Sequence, residues 1–234
     1  MKKIKLALLA IAAIIGTQTL YAQSIDEIVN KFVDALGGKE KLTTLKSVRM
    51  EGTLNVSGTD VSLIITKLNG VGQRNDIAAM GMNGYQIYTP ATGWNFMPFM
   101  GQASPEAMKD EELKTGQLWL DLQGNLVNYK EKCNQLELQG KEKADMAECY
   151  KIKATLKSGK AVTYFINSRS YYIVKTVSTQ NITGEEEVVN GYANYKATDN
   201  GYIFPFTFTI PKGEITYSKI EANVAVDEKI FTTN

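Results

Sequence analysis

The chain has 234 residues, of which 44% are hydrophobic and 22% charged, and its 26 basic and 25 acidic residues leave a formal net charge of +1. No run of like charge exceeds three residues, which argues against binding to nucleic acid or to an anionic membrane surface. Histidine is absent from the sequence. This excludes nucleophilic arrangements that need imidazole and the common zinc sites, so we expect no enzyme, no metal and no cofactor.

Residues 1–22 have the pattern of a secretory signal peptide. Three lysines precede an uninterrupted apolar run, residues 6–15, and the small Ala22 offers a cleavage site. The run is about half as long as a membrane-spanning helix requires, which argues against a retained anchor. We therefore expect a periplasmic protein of residues 23–234. Because no Pro-, Gly- or Ser-rich linker interrupts them, these residues are predicted to form one domain.

A helix is predicted at the start of the mature chain. Ser24 can act as its N-cap with Glu27 three positions later, and the apolar residues that follow repeat at helical spacing. The pair at residues 37–38 is Gly-Gly, which ends the helix because glycine accepts the left-handed conformation. A second, short helix is predicted over about 39–45.

From Ser47 onward, short runs of β-branched and aromatic residues alternate with turn signals, which predicts an antiparallel meander. Four Asn-Gly pairs, beginning at Asn69, Asn83, Asn190 and Asn200, mark candidate hairpin turns. Eleven strands fit the pattern, over 47–55, 59–68, 72–80, 84–89, 135–142, 148–156, 161–167, 171–180, 185–195, 202–210 and 214–222. So many strands predict curvature into a barrel or half-barrel.

Two segments interrupt the meander. Residues 94–101 contain a proline and end in a glycine, which favours a flexible apolar loop over a central strand. Ser104 and Pro105 then predict the start of a helix that runs, with a break near Gly116, to about Gln123. Loop and helix together could form a lid over one end of the sheet.

Methionine and aromatic side chains are concentrated around this lid. They form an adaptable apolar surface that suits flexible hydrocarbon chains, although a plain hydrophobic core explains them equally well. The candidate ligand-binding residues are Met80, Met82, Tyr85, Tyr88, Trp94, Phe96, Phe99, Met100, Met108 and Trp119.

The acidic and sulfur-containing residues give weaker signals. The acidic runs 110–112 and 185–187 are typical of a solvated helix face and a hairpin turn, so neither is taken as a catalytic site. Cys133 and Cys149 are the only cysteines, and in an exported protein they could form a disulfide. A buried, unpaired Cys149 on a strand is the alternative.

The order of these elements resembles the LolA/LolB-like superfamily of periplasmic outer-membrane lipoprotein carriers. The likeness is carried by the amphipathic helix after the signal peptide, by Asn83-Gly84-Tyr85-Gln86-Ile87-Tyr88-Thr89-Pro90, by the helical insertion after it, and by Val226-Asp227-Glu228-Lys229-Ile230-Phe231 near the end. The resemblance implies a mainly β protein with some helix, in which an antiparallel, unclosed β-barrel of about 11 strands is covered by helices.

The resemblance also implies a function. It suggests a monomeric carrier that holds acyl chains of lipoproteins, or a related lipid, in its interior and moves them toward the outer membrane, with envelope membrane complexes as further candidate partners. Carriers of this type place an arginine before a proline at the end of an early strand, whereas residues 66–70 here read Thr-Lys-Leu-Asn-Gly. The alternative is an interaction or scaffold module of the cell envelope with a filled core.

Overall fold

The computed structural model describes residues 23–144, 146–181 and 185–233, and this part of the chain forms a single antiparallel sheet of 13 strands with three α-helices. Residues 1–22 lie outside it, so the signal peptide stays a prediction. The helices are α1 (Ile25–Ala35), α2 (Lys39–Thr43) and α3 (Asp110–Gln117). The strands are β1 (Ser47–Val56), β2 (Thr59–Leu68), β3 (Gly72–Ala79), β4 (Met82–Tyr88), β5 (Gly93–Phe96), β6 (Glu106–Ala107), β7 (Gln135–Ala144), β8 (Ala147–Thr155), β9 (Ala161–Asn167), β10 (Ile173–Asn181), β11 (Glu185–Ala197), β12 (Ile203–Ile210) and β13 (Gly213–Ala222).

The strands follow the order β6-β5-β4-β3-β2-β1-β13-β12-β11-β10-β9-β8-β7, and every pair is antiparallel. In the described residues, β6 and β7 stand at opposite edges and do not pair with each other, so the sheet does not close. Strands β3 and β11 lie far apart in this order yet line one cavity, which requires the sheet to curve around it. This confirms the predicted unclosed half-barrel.

Helix α1 begins and packs largely as its sequence predicts. The Ser24 side chain accepts a hydrogen bond from the Glu27 backbone N–H at 3.1 Å, which satisfies one of the free donors at the helix start. The buried face of α1 includes Ile28 and Phe32, and it packs on β8 and β9, where Ile152 and Ile166 are fully buried. We call β7–β9 with α1 the packed half.

The rest of the sheet is built differently. Strands β1–β4 and β11–β13, with α3, form what we call the cavity half. Val48, Leu63 and Tyr217 belong to its buried cluster, but the interior also contains open space. The buried cluster of the cavity half thus lies beside open space.

One edge of the sheet is strongly charged. Strand β7 is exposed over most of its length, and its register with β8 shifts between Leu138 and Lys141. Lys141 pairs with Glu148 at 2.7 Å, and Lys151 pairs with Glu142 at 2.9 Å. Ion pairs thus join β7 to its one neighbour.

The structure corrects the prediction of a flexible loop over 94–101. Residues Gly93–Phe96 form β5, which pairs with β4. Pro98 starts a short 3₁₀ turn instead of breaking the strand. Gly93 suits this strand because a Cβ there would lie 2.6 Å from the Sδ atom of Met108. The close approach of Met108 therefore explains the glycine better than loop flexibility does.

The predicted helix start is also wrong. Residues Glu106–Ala107 form the short edge strand β6, and α3 begins at Asp110 with Lys109 as its N-cap. The helix ends at Gln117, before the predicted end near Gln123. Pairing of β6 with β5 takes Pro105 and its neighbours away from the helix.

Two of the four Asn-Gly pairs are turns and two are not. Those at Asn69 and Asn200 connect strands, but Asn83 lies within β4 and Asn190 within β11. The turn between β3 and β4 uses Met80 and Gly81, both with positive φ. Register with neighbouring strands overrides the local turn preference at the other two pairs.

The two cysteines are not joined to each other in the described part of the chain. Cys133 is exposed in the segment before β7, whereas Cys149 on β8 is fully buried beside Ala144 and Phe165. The thiols thus lie in different environments, which disagrees with the possible disulfide.

Candidate functional site

Two adjoining cavities lie between the sheet and its covering segments. The first has a volume of about 250 Å³ and is lined by α1, by β9–β12 and by residues 118–126, which follow α3 and which we call the cap segment. The second has a volume of about 620 Å³ and lies under α3, between β1–β4 and β11–β13. That volume is within the range of about 300–1,000 Å³ typical of ligand sites. The shared wall consists of Thr115, Trp119, Asn190, Tyr192 and Pro205.

Helix α3 bridges the open side of the sheet. On one side, the Gln117 amide donates to the carbonyl of Pro90 at 2.8 Å, and the Asn95 amide donates to the Glu112 carboxylate at 2.6 Å. On the other side, the Lys160 ammonium reaches the Thr115 hydroxyl at 3.5 Å. The helix is therefore held more firmly at β4 and β5 than at the β8–β9 turn.

A glycine allows α3 to sit this close to the sheet. Gly116 is buried, and a Cβ placed on it would come 1.9 Å from the ring of Tyr88 on β4. No side chain larger than hydrogen fits there without moving the helix or the ring. Burial, with the Glu112 carboxylate nearby, raises the pKa of Tyr88, so this phenol stays neutral at physiological pH.

The cap segment is tied to the turn between β2 and β3. The Leu122 N–H donates to the Asn69 side chain, and the Gly70 N–H donates to the Leu120 carbonyl, both at 3.0 Å. Lys132 pairs with Asp121 in the same segment at 2.5 Å. These bonds fix the position of the segment over the sheet.

Aromatic rings line the boundary between the cavities. Trp119 meets Phe208 edge-on, with 6.0 Å between ring centroids, and Phe208 in turn lies 5.1 Å from Tyr192. Trp119 is 39% exposed, a large fraction for a tryptophan among aromatic neighbours. Its surface is thus available to a molecule in the cavity.

A single lysine enters the second cavity from β2. Lys67 lies on the same strand face as Leu63 and Ile65, and its ammonium is 5.7 Å from the centre of the Trp119 ring. The residue is half-buried by surface area, but the groups around its ammonium desolvate it and lower its pKa to about 8.

Side-chain amides form a chain across β3, β4 and β5 on the cavity face. Gln73 donates to Asn75 at 2.8 Å, Asn75 donates to Gln86 at 3.4 Å, and Gln86 donates to Asn95 at 3.0 Å. Asn95 completes the chain by donating to Glu112. At the other end, the Oε1 atom of Gln73 is buried and has no hydrogen-bond partner in the described residues.

The structure separates the ten residues that the sequence predicted as ligand contacts. Tyr88 and Trp119 line the cavities. Met108 is buried against Gly93, and Phe99 lies over Gly84.

The other six lie elsewhere. By strand alternation, Tyr85, Trp94 and Phe96 point to the face opposite the cavity. Three methionines are solvent-exposed: Met80 at 82%, Met82 at 39% and Met100 at 77%.

Sequence reasoning missed the residues that line the cavity from β2, β3 and β12. Lys67 continues the series Val61, Leu63, Ile65, so the alternation of β2 already placed a lysine at the end of an apolar face. Gln73 lies directly opposite Lys67 in the β2–β3 ladder. No local signal placed β11 and β12 against β2, because that contact depends on the curvature of the whole sheet.

Among residues 23–144, 146–181 and 185–233, no group of three or more cysteine or acidic side chains could hold a metal ion. No helix in this part of the chain is long and apolar enough to cross a membrane.

The site and the fold together define a class, an open antiparallel half-barrel with an apolar interior covered by helices. No family model matches the sequence, and no curated protein matches it. Solved structures do match. A domain assigned to outer membrane lipoprotein sorting from Vibrio parahaemolyticus is 13% identical with a TM-score of 0.56, covering 89% of this chain and 97% of that one.

Two further structures agree. A LolA superfamily protein from Nitrosomonas europaea is 16% identical with a TM-score of 0.55, covering 90% of this chain and 98% of that one. A DUF1329 family protein from Desulfovibrio piger is 13% identical with a TM-score of 0.50, covering 87% and 97%. The chain therefore has the fold of LolA-superfamily proteins, which confirms the resemblance seen in the sequence at the level of fold.

Proposed function

We propose that this protein is an exported, non-enzymatic carrier that holds acyl chains of lipoproteins, or a related hydrophobic ligand, and moves them toward the outer membrane. The observation that carries the proposal is the cavity of about 620 Å³ under α3, together with the adjoining cavity of about 250 Å³. The similar structures support it, since one is assigned to lipoprotein sorting.

The chemistry of the lining fits an acyl chain. The wall includes Met50, Ile65, Phe208 and Ile215, which offer apolar contact without fixed polar geometry. Each methylene moved from water into such a wall contributes up to about 0.8 kcal/mol before ordering costs. A chain of ordinary length therefore binds without any catalytic group.

The way in which α3 is attached to the sheet suggests a route by which a ligand enters the cavities. Gln117 and Glu112 hold the helix on the β4–β5 side, while the contact between Lys160 and Thr115 on the far side is long. Displacement of α3 from the β8–β9 turn would uncover both cavities while its other side stays attached. In this proposal α3 acts as the lid.

Native mass spectrometry of the protein purified from the cell envelope without detergent, followed by organic extraction, tests the proposal. A co-purifying acyl species supports it and identifies the ligand class. A ligand-free mass, together with no uptake of an added fluorescent acyl probe, would overturn it and favour the interaction module.

A matched pair of tryptophan variants locates the site. Trp119→Ala removes a ring from the cavity boundary, and we expect uptake of the acyl probe to fall about tenfold or more. Trp94→Ala removes the same ring from the opposite face of the sheet and should leave uptake within about twofold. Loss of uptake in Trp94→Ala alone would instead support the site around the 94–101 segment that the sequence suggested.

A further inference from the structure

The lining of the second cavity is largely apolar, yet the charged side chain of Lys67 belongs to it. Lys67 makes no ion pair in the described part of the chain, and its surroundings desolvate the ammonium. A buried charge without a counter-charge is costly, and proteins usually pair it. An anionic group of a bound molecule would supply the missing counter-charge.

The amide chain supplies a second, independent observation. The Glu112 carboxylate can only accept hydrogen bonds, so Asn95 must turn its NH₂ group toward it. Each amide then repeats this orientation from Asn95 through Gln86 and Asn75 to Gln73. The direction of the whole chain leaves the Gln73 Oε1 atom as a buried acceptor without a donor.

The two unsatisfied groups stand side by side. Lys67 and Gln73 are direct partners across the β2–β3 ladder, and both line the 620 Å³ cavity. A cation beside a free acceptor is complementary to a head group that carries an anionic oxygen next to an O–H or N–H donor.

We propose, resting on the carrier function above, that the ligand is an anionic amphiphile: its acyl chain lies along the apolar wall, its negative oxygen pairs with the Lys67 ammonium, and its adjacent hydroxyl or amide N–H donates to Gln73 Oε1. The head then occupies the β2–β3 side of the cavity. Trp119 of the cap segment, 5.7 Å from the ammonium, then borders the head.

The other charged and titratable groups around the second cavity do not replace this pair. Glu112 is engaged by Asn95, and Lys212 is exposed in the turn before β13. Glu186 lines the cavity from β11 and already has an interaction partner of its own. The tyrosines of the lining are Tyr88, Tyr192 and Tyr217, and burial raises the pKa of each, so all three stay neutral below pH 10.

Binding of amphiphiles with one chain and different heads tests the proposal. Displacement of a fluorescent acyl probe is measured with a long-chain fatty acid, the alcohol of equal length and the trimethylammonium of equal length. We expect the carboxylate to bind about tenfold to a hundredfold more tightly than the alcohol, and the cation to bind least tightly. Equal affinity for the three heads would overturn the head-group proposal and leave the carrier function standing.

Lysine variants assign the effect to a residue. Lys67→Met should remove the preference for the carboxylate and leave the affinity for the alcohol within about threefold. Lys212→Met removes the same charge from the exposed rim and should keep the preference. A Lys67→Met protein that still prefers the carboxylate would refute the role of Lys67, whereas failure of every amphiphile to bind wild-type protein would refute the carrier function itself.

A pH series on the wild-type protein needs no variant. The free protein has a desolvated ammonium with a pKa of about 8, and the bound anion requires the protonated form. Affinity for the carboxylate should therefore fall by up to about tenfold per pH unit between pH 8 and 10, while affinity for the alcohol stays constant. A carboxylate affinity that does not change across this interval would contradict the proposal.

Discussion

The packed half and the cavity half use the same sheet but cover it with different helices. The face of α1 toward the sheet carries Ile28, Val29, Phe32 and Val33, and these side chains fill the space over β8 and β9. Helix α3 reads Asp-Glu-Glu-Leu-Lys-Thr-Gly-Gln, and its one buried residue is Gly116. Helix α1 fills most of the space over β8 and β9 and borders the smaller cavity, whereas the polar helix α3 bridges the sheet above the larger one. The covering helix thus differs between the filled part of the sheet and the part that holds the larger cavity.

The largest expected difference between the halves concerns stability. Ile152→Ala, in the packed half, should lower the free energy of unfolding by about 3–5 kcal/mol, since Ile152 is fully buried among close neighbours. Ile65→Ala is the matched change beside the cavity and should cost about 1–2 kcal/mol, because that side chain already borders empty space. Urea unfolding of both variants measures the difference. Equal losses would mean that the two halves are packed alike.

A smaller effect on stability should come from a substitution at the contact between α3 and β4. Gly116→Ala places a Cβ against the Tyr88 ring, and the clash outweighs the gain of about 1 kcal/mol in helix propensity. We expect a net loss of about 1–3 kcal/mol and weaker acyl-probe uptake. Lys114→Ala, at an exposed position of the same helix, should change stability by less than about 0.5 kcal/mol. A stabilised Gly116→Ala protein would show that α3 moves without cost.

Lys67 should make the stability of the cavity half depend on pH. Its pKa is about 8 in the folded protein and 10.5 in its ordinary state, so between these values the unfolded chain binds more protons. Stability should thus rise with pH from about 8 to 10.5, and the full penalty is present below pH 8. Lys67→Met should be about 1–2 kcal/mol more stable at pH 7 and should lose this rise, as thermal unfolding across the pH series would measure. A wild-type protein that loses stability over that interval would contradict the desolvation.

The smallest effect concerns the thiols. Cys133 is exposed and should react with a thiol reagent within the mixing time, whereas Cys149 is fully buried on β8 and should react only as the packed half opens. Ligand in the cavity half should leave the rate at Cys149 unchanged if the halves open separately. Counting labelled thiols by mass spectrometry gives the result, and no labelling in denaturant without reductant would reveal a disulfide instead.

Much of the fold could be predicted from the sequence because its signals are local. The N-cap at Ser24 and the stripe on α1 needed no tertiary information, and most strands from β1 to β13 lie close to their predicted ranges. Strand β5 could not be predicted in this way, because its four residues are a strand only by pairing with β4. The same holds for β6, which takes Pro105 away from the predicted helix.

The site was less predictable than the fold. Density of methionine and aromatic residues pointed to residues 80–100, yet strand alternation turns Tyr85 and Trp94 away from the cavity. A high density of apolar residues does not show which face of the sheet they occupy. The alternation of residues along β2 does show this, and it places Lys67 on the same face as Ile65. Face assignment, strand by strand, would have been the better guide.

An unclosed sheet of 13 strands exposes unpaired backbone groups at both ends, and this is a hazard for aggregation. The edge strand β6 has two residues, too few to template another chain. At the other edge, β7 carries Glu137, Lys141, Glu142 and Lys143 and an interrupted register. Short length at one edge and charge with a bulge at the other disfavour edge-to-edge pairing, so the sheet can stay open at both edges.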